Sequence, residues 1–110
     1  MSNAAKRKGD AAEREIAKIL SDHLGLTVRR KLGAGRSDDE GDIDGVPDTT
    51  VQVKNFADIT RAIRQGLDDL ATQQRNASTT HGVLFVRRPG GRWIAVMEVE
   101  QWCTLWREAT

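Results

Sequence analysis

Four consecutive apolar residues, Val83-Leu84-Phe85-Val86, form the middle of the segment "HGVLFVRR". A strand that is apolar at every position asks for cover on both faces, which alternating strands do not need. Helices supply that cover when the chain holds helical stripes before and after the strand. Three such stripes are present. From Ala4 to Leu24, Ala12, Ile16, Ile19, Leu20 and Leu24 recur at helical spacing, and Gly25 is a natural stop. The segment "DITRAIRQGLDDLATQQRNA" carries Ile59, Ile63, Leu67, Leu70 and Ala71 on one stripe, and "EVEQWCTLWREA" carries Val99, Trp102, Leu105 and Trp106.

Between the helices lie further strand candidates. "LTVRRK" (26–31) is a short one, and "LGAGRSDDEG" after it reads as a loop. "DIDGV" and "TTVQVKN" flank Pro47, which suits a hairpin turn, and "RWIAVM" follows a "PGG" turn. The expected order is α-β-β-β-α-β-β-α, an α/β fold with a mixed sheet flanked by helices. At 110 residues the expectation is one domain over 1–110, with 1–5 as a flexible tail.

Hydrophobic residues make up 38% and charged residues 30%, so a core is within reach and global disorder is not expected. No apolar run approaches the ~20 residues of a membrane span, and "MSNAAKRKGD" lacks the apolar centre of a signal peptide. Cys103 is the single cysteine, which points to a reducing, cytoplasmic setting and leaves no paired Cys/His pattern for zinc. Charge is unevenly spread. Residues 1–36 hold nine basic and four acidic residues, 37–58 hold one and seven, and 59–110 hold seven and five. A basic flank beside an acidic centre suits a cation site that also meets a polyanion, and equally suits a solvated acidic loop.

The acidic centre has a pattern. In a strand, residues two apart share a face. Asp42 and Asp44 would point one way with Ile43 opposite, and Gln52 and Lys54 would oppose Val51 and Val53. Asp42 lies across from Gln52 if the connecting loop is Val46-Pro47-Asp48; a two-residue loop would require a bulge. Carboxylate and amide oxygens suit a hard cation such as Mg²⁺, and a lysine beside it can orient an attacking water. On the first helix, Glu13 falls on the buried side of a wheel drawn at ~100° per residue, while Glu15 falls at its edge within reach of Lys18. His23 lies on the apolar stripe, where a packed, hydrogen-bonded histidine is expected. At least two of Trp93, Trp102 and Trp106 are expected in the core, and any of the three could serve a pairing face.

"KRKGDAAEREIAKIL", "GDIDG" and "VQVKN" together resemble the PD-(D/E)XK nuclease superfamily, and within it archaeal-type Holliday junction resolvases and their small phage and bacterial relatives. The resemblance covers most of the chain. It implies a restriction-endonuclease-like fold and a Mg²⁺-dependent endodeoxyribonuclease, with Mn²⁺ able to substitute. The substrate it implies is branched DNA, cut by a homodimer. It also implies the roles. Glu13 would be the helix acid, Asp42 the principal metal ligand, Gln52 the occupant of the second ligand position and Lys54 the catalytic lysine. Asp44 would restore the carboxylate that Gln52 lacks; an alternative alignment makes Asp44 the main ligand. Lys6, Arg7, Lys8, Arg29, Arg30 and Arg36 would contact phosphates, and the loop Gly33–Ser37, with Gly33, Gly35 and Ser37, would meet DNA. The departure from the family pattern is Gln52, where an acid is usual. Two other readings stay open: a restriction-type or nicking nuclease on duplex DNA, and a catalytically decayed DNA-binding module.

Overall fold

The structure is a computed structural model that describes residues 3–31, 39–88 and 90–110. Its elements in chain order are α1 (Asn3–Leu24), β1 (Arg29–Arg30), β2 (Ile43–Asp44), β3 (Thr49–Lys54), α2 (Ile59–Ala77), β4 (His81–Arg87), β5 (Trp93–Val96) and α3 (Val99–Ala109). The five strands form one mixed sheet in the order β1-β2-β3-β4-β5. Only β3 and β4 are parallel; the other neighbours are antiparallel. A parallel pair needs a crossover, and α2 provides it. Residues 3–5, expected in a flexible tail, lie within α1. Among the described residues no helix is long and apolar enough to cross a membrane.

The apolar run in β4 explains the layering. Leu84 and Val86 are fully buried on the side of α2, with Ala62 and Leu70. Val83 and Phe85 point the other way and pack on the cluster of Ala12, Ile16, Ala17, Val28, Ile43, Val51 and Val53, which α1 closes. The cover is unequal, since Val83 and Phe85 are only partly buried. Asp58 caps α2, its Oδ1 accepting from the Arg61 N–H at 3.1 Å. The buried line of α2 is Ala62, Gly66, Leu70 and Gln73, one position round from the expected stripe, and Ala71 is exposed. The reason is close approach. A Cβ added at Gly66 would stand 2.6 and 2.7 Å from the two methyl carbons of Leu84, so small residues take the contact line and Ile59, Ile63 and Leu67 flank it. Gly66→Ala should therefore lower stability by about 1–3 kcal/mol through overpacking, despite the better helix propensity of alanine. Equilibrium denaturation checks this; an unchanged midpoint would contradict it.

The acidic hairpin is built as its pattern requires, with one addition. Ile43 pairs with Val51, a register that leaves Val46-Pro47-Asp48 as the loop. Asp48 sits in the left-handed region at φ 52°, and Thr49 Oγ1 donates to the Pro47 carbonyl at 2.8 Å. The Asp42 N–H also donates to the Val51 carbonyl, at 2.8 Å. Two residues, Asp42 and Ile43, thus stand against one, as in a β-bulge. Past the bulge the Asp42 carboxylate replaces a backbone acceptor: Oδ2 takes the Val53 N–H at 2.9 Å.

Candidate active site

Three elements bring four of the expected side chains to one cleft. Glu13 comes from α1, Asp42 from the residue before β2, and Gln52 and Lys54 from β3. With Lys8, Phe56 and Arg61 they line a cleft of about 450 Å³. Asp42 is 5% exposed and Gln52 3%. Burial pushes the Asp42 carboxyl up to about 7. The Val53 N–H works against that, the Glu13 and Asp39 charges add to it, and Lys54 opposes it weakly.

Gln52 is the hinge of the polar network. In one orientation of its amide the nitrogen stands 2.7 Å from both Oε1 and Nε2 of Gln73 and can donate to the former and to Asp42 Oδ2 at 3.2 Å, while the oxygen accepts from Lys54 Nζ at 3.2 Å. Turned over, the carbonyl oxygen takes the nitrogen's place, 3.2 Å from Asp42 Oδ2. Two oxygens at that separation need a proton or a cation between them. Lys54 Nζ is held on its other side by Asp69 at 2.9 Å and lies 5.5 Å from the Phe56 ring centre.

Glu13 is half-buried, as its place on the helical wheel implies, and its partner is Arg30, whose Nε donates to Oε1 at 3.1 Å. Arg30 also reaches Asp10 at 2.7 Å. Arg30, expected to meet phosphate, here pairs with two acids of α1 and holds the helix acid in place. Lys6 pairs with Asp10, Arg7, Lys8 and Arg29 are exposed, and of these residues Lys8 stands at the cleft. Gly33, Gly35, Arg36 and Ser37 lie outside the described residues.

Asp44 does not join the cleft. It is exposed and lines a separate groove with Lys31, Glu40, Asp48, Thr50 and Thr79. It pairs with Arg29 of β1 and lies with Thr49 and Thr50, at the start of β3, while the cleft takes Gln52 to Lys54 at its end. The compensating role expected for it therefore has no geometric basis, and neither has its role as main ligand. The further acids near the site are Asp39 and Asp69. Asp39 accepts from Gln73 Nε2 at 3.0 Å and so links the loop before β2 to the Gln73–Gln52 pair. Gln73, three residues after Leu70 on an apolar stripe, was the available sequence signal for this network; Asp69 and Arg61 gave none.

Three other expectations change. Glu15 pairs with Arg87 of β4 at 3.2 Å, while Lys18 pairs with Asp22, because α1 lies across the sheet. His23 is exposed rather than packed. Trp93 packs against the α1 core, but Trp102 and Trp106 are 54% and 55% exposed, so two of the three tryptophans lie outside the core.

The donor set at the cleft consists of hard oxygens: the Asp42 and Glu13 carboxylates and the Gln52 carbonyl. That chemistry fits a Mg²⁺-type ion, which is held through one or two carboxylates and keeps water. Among the described residues no group of three or more His, Cys, Asp or Glu side chains stands at metal-binding spacing. The chain matches no protein-family model, no curated protein and no solved structure.

Proposed function

We propose that this chain is a divalent-cation-dependent DNA endonuclease of the PD-(D/E)XK type, acting on branched DNA as a Holliday junction resolvase. The observation that carries the reading is the meeting of Glu13, Asp42, Gln52 and Lys54, from three separate elements, in one cleft with Lys8 and Arg61. The strand order, with α2 crossing between parallel β3 and β4, is compatible with a restriction-endonuclease-like core.

In this reading Asp42 is the principal ligand of Mg²⁺ or Mn²⁺, with Glu13 and the Gln52 carbonyl as its companions. Such an ion supplies an acidified water and charge neutralisation at the scissile phosphate. Lys54, held by Asp69, orients the attacking water and offsets charge that develops on the phosphate oxygens. Arg30 holds Glu13 in place, and Lys8 and Arg61 provide positive charge for the DNA backbone.

A four-way junction and a linear duplex of the same sequence, each incubated with Mg²⁺ or Mn²⁺, test the substrate. Preferential junction cleavage is expected. Equal or better duplex cleavage would move the protein to the duplex-cutting nucleases. A second reading, a DNA-binding module without cleavage, draws on the Gln52 amide that already satisfies Asp42 without a cation. It is separated by DNA binding with no cleavage in either metal.

A further inference from the structure

The Gln52 amide has two unlike ends, and each faces a group that tells them apart. One end stands 2.7 Å from both amide atoms of Gln73 and 3.2 Å from Asp42 Oδ2; the other stands 3.2 Å from Lys54 Nζ. Gln73 accepts either end. It is pinned from the far side, because its Nε2 donates to Asp39 Oδ2 at 3.0 Å and an ionised carboxylate only accepts. Its Nε2 keeps a second hydrogen and its Oε1 stays an acceptor, so Gln52 turns over without losing its bond to Gln73. Gln52 is 3% exposed. Its remaining neighbours, rather than solvent, therefore set which way the amide lies.

Those neighbours are Asp42 and Lys54, and the amide couples them. With its nitrogen toward Asp42, the amide donates to Oδ2 and its carbonyl accepts from Lys54. With its carbonyl toward Asp42, two oxygens lie 3.2 Å apart. That is close to the ~3.0 Å edge of an octahedron with ~2.1 Å bonds, the geometry Mg²⁺ demands. The amide nitrogen then faces the Lys54 ammonium, donor against donor. Lys54 loses this acceptor and keeps Asp69, at 2.9 Å. We propose that Gln52 is a cation-set switch for Lys54: the amide turns over when Asp42 holds a divalent ion, and in turning it releases the lysine into the cleft. This switch rests on the nuclease reading for the cation at Asp42 and adds the regulation of Lys54. It also gives a physical reason for glutamine where the resemblance leads to an acid. A carboxylate has two like ends, so it would hold Lys54 whether or not an ion is bound. The amide makes that hold conditional, and the lysine is available only once the ion is in place.

Side-chain NMR of the full chain at pH 8, in chelator and then in excess Mg²⁺, tests the proposal. The Val53 N–H donates to Asp42 Oδ2 at 2.9 Å, so its signal reports whether the ion binds. In chelator the Gln52 amide protons should show their stronger Overhauser contact to the Asp42 methylene. In Mg²⁺ that contact should be lost and the stronger one should be to the Lys54 ε-methylene. Relaxation of the Lys54 ε-carbon should show the side chain loosened by Mg²⁺ in the parent and unchanged by it in Gln52→Glu. A Val53 signal that shifts with Mg²⁺ while the amide contacts stay as they were would overturn the switch and leave the cation site standing. So would an exchange of contacts with no loosening of Lys54, equal loosening in Gln52→Glu, or the Mg²⁺ pattern already present in chelator. A Val53 signal indifferent to Mg²⁺ would overturn the switch together with the cation at Asp42 on which it rests. None of these readouts depends on cleavage.

Discussion

At pH 8, without divalent cations, Asp42→Asn should unfold at a higher temperature than the parent chain, and it should have lost cleavage. The cause is burial. The Asp42 carboxyl titrates near 7 in the folded protein and at 3.8 when unperturbed. Between those values the folded chain holds a proton that the unfolded chain has released, so stability falls as pH rises through this window. Below pH 4 both states are protonated and the charge costs nothing; above 7 the whole cost is present. The span from 3.8 to about 7 corresponds to about 4 kcal/mol at most. For a chain of this size that is a rise in Tm on the order of 10 °C. The gap should close as the pH is lowered to 4. It should also narrow when Mg²⁺ is added, because an ion that binds only the folded parent stabilises it. Melting curves of both proteins from pH 4 to 8 decide the matter. Parallel curves with no pH-dependent gap would contradict the account.

Gln52→Glu should have the opposite effect on stability and a gain in metal binding. The side chain stands 2.7 Å from both amide atoms of Gln73 and 3.2 Å from Asp42 Oδ2. A carboxylate there can take the Gln73 Nε2 donor but meets the like charge of Asp42 at 3.2 Å, in a site where Asp42 is already 5% exposed. Without a cation the variant should lose about 3 kcal/mol or take up a proton to avoid it. With Mg²⁺ the added charge becomes useful, and binding should tighten roughly tenfold or more, equivalent to about 1.4 kcal/mol. Calorimetric titration with Mg²⁺ at pH 8, beside a denaturation curve in chelator, reads both halves. Weaker or unchanged Mg²⁺ affinity would mean that Gln52 does not share a cation with Asp42.

These two residues also show what the sequence could and could not carry. Period-two alternation placed Asp42 and Gln52 on one face but left the hairpin register to the loop length, three residues or two with a bulge; the pairing of Ile43 with Val51 supplies it. Helical periodicity put Glu13 on the inward side of α1. The same alternation was misleading for Asp44, since sharing a face does not mean sharing an end of the strand. The clamp of Arg30 on Glu13 spans seventeen residues and rests on how α1 crosses the sheet, which no local pattern encodes. The contact line of α2 was displaced for a related reason: Gly66 lies against Leu84, and only the approach distance reveals that small residues lead. On α3 the apolar stripe was plain, but a stripe looks the same whether its cover comes from the chain itself or from elsewhere. The exposed Trp102 and Trp106 are the result.

The cleft of Glu13, Asp42, Gln52 and Lys54 is the proposed hydrolytic centre. Its most direct test is cleavage of a labelled four-way junction by the parent chain and by Lys54→Ala, with Mg²⁺, Mn²⁺ or chelator, and with junction binding measured on the same samples. Metal-dependent cleavage by the parent is expected, with none in chelator and a loss of about 10²–10³-fold or more in Lys54→Ala while binding persists. Binding by both proteins with no cleavage in either metal would contradict it.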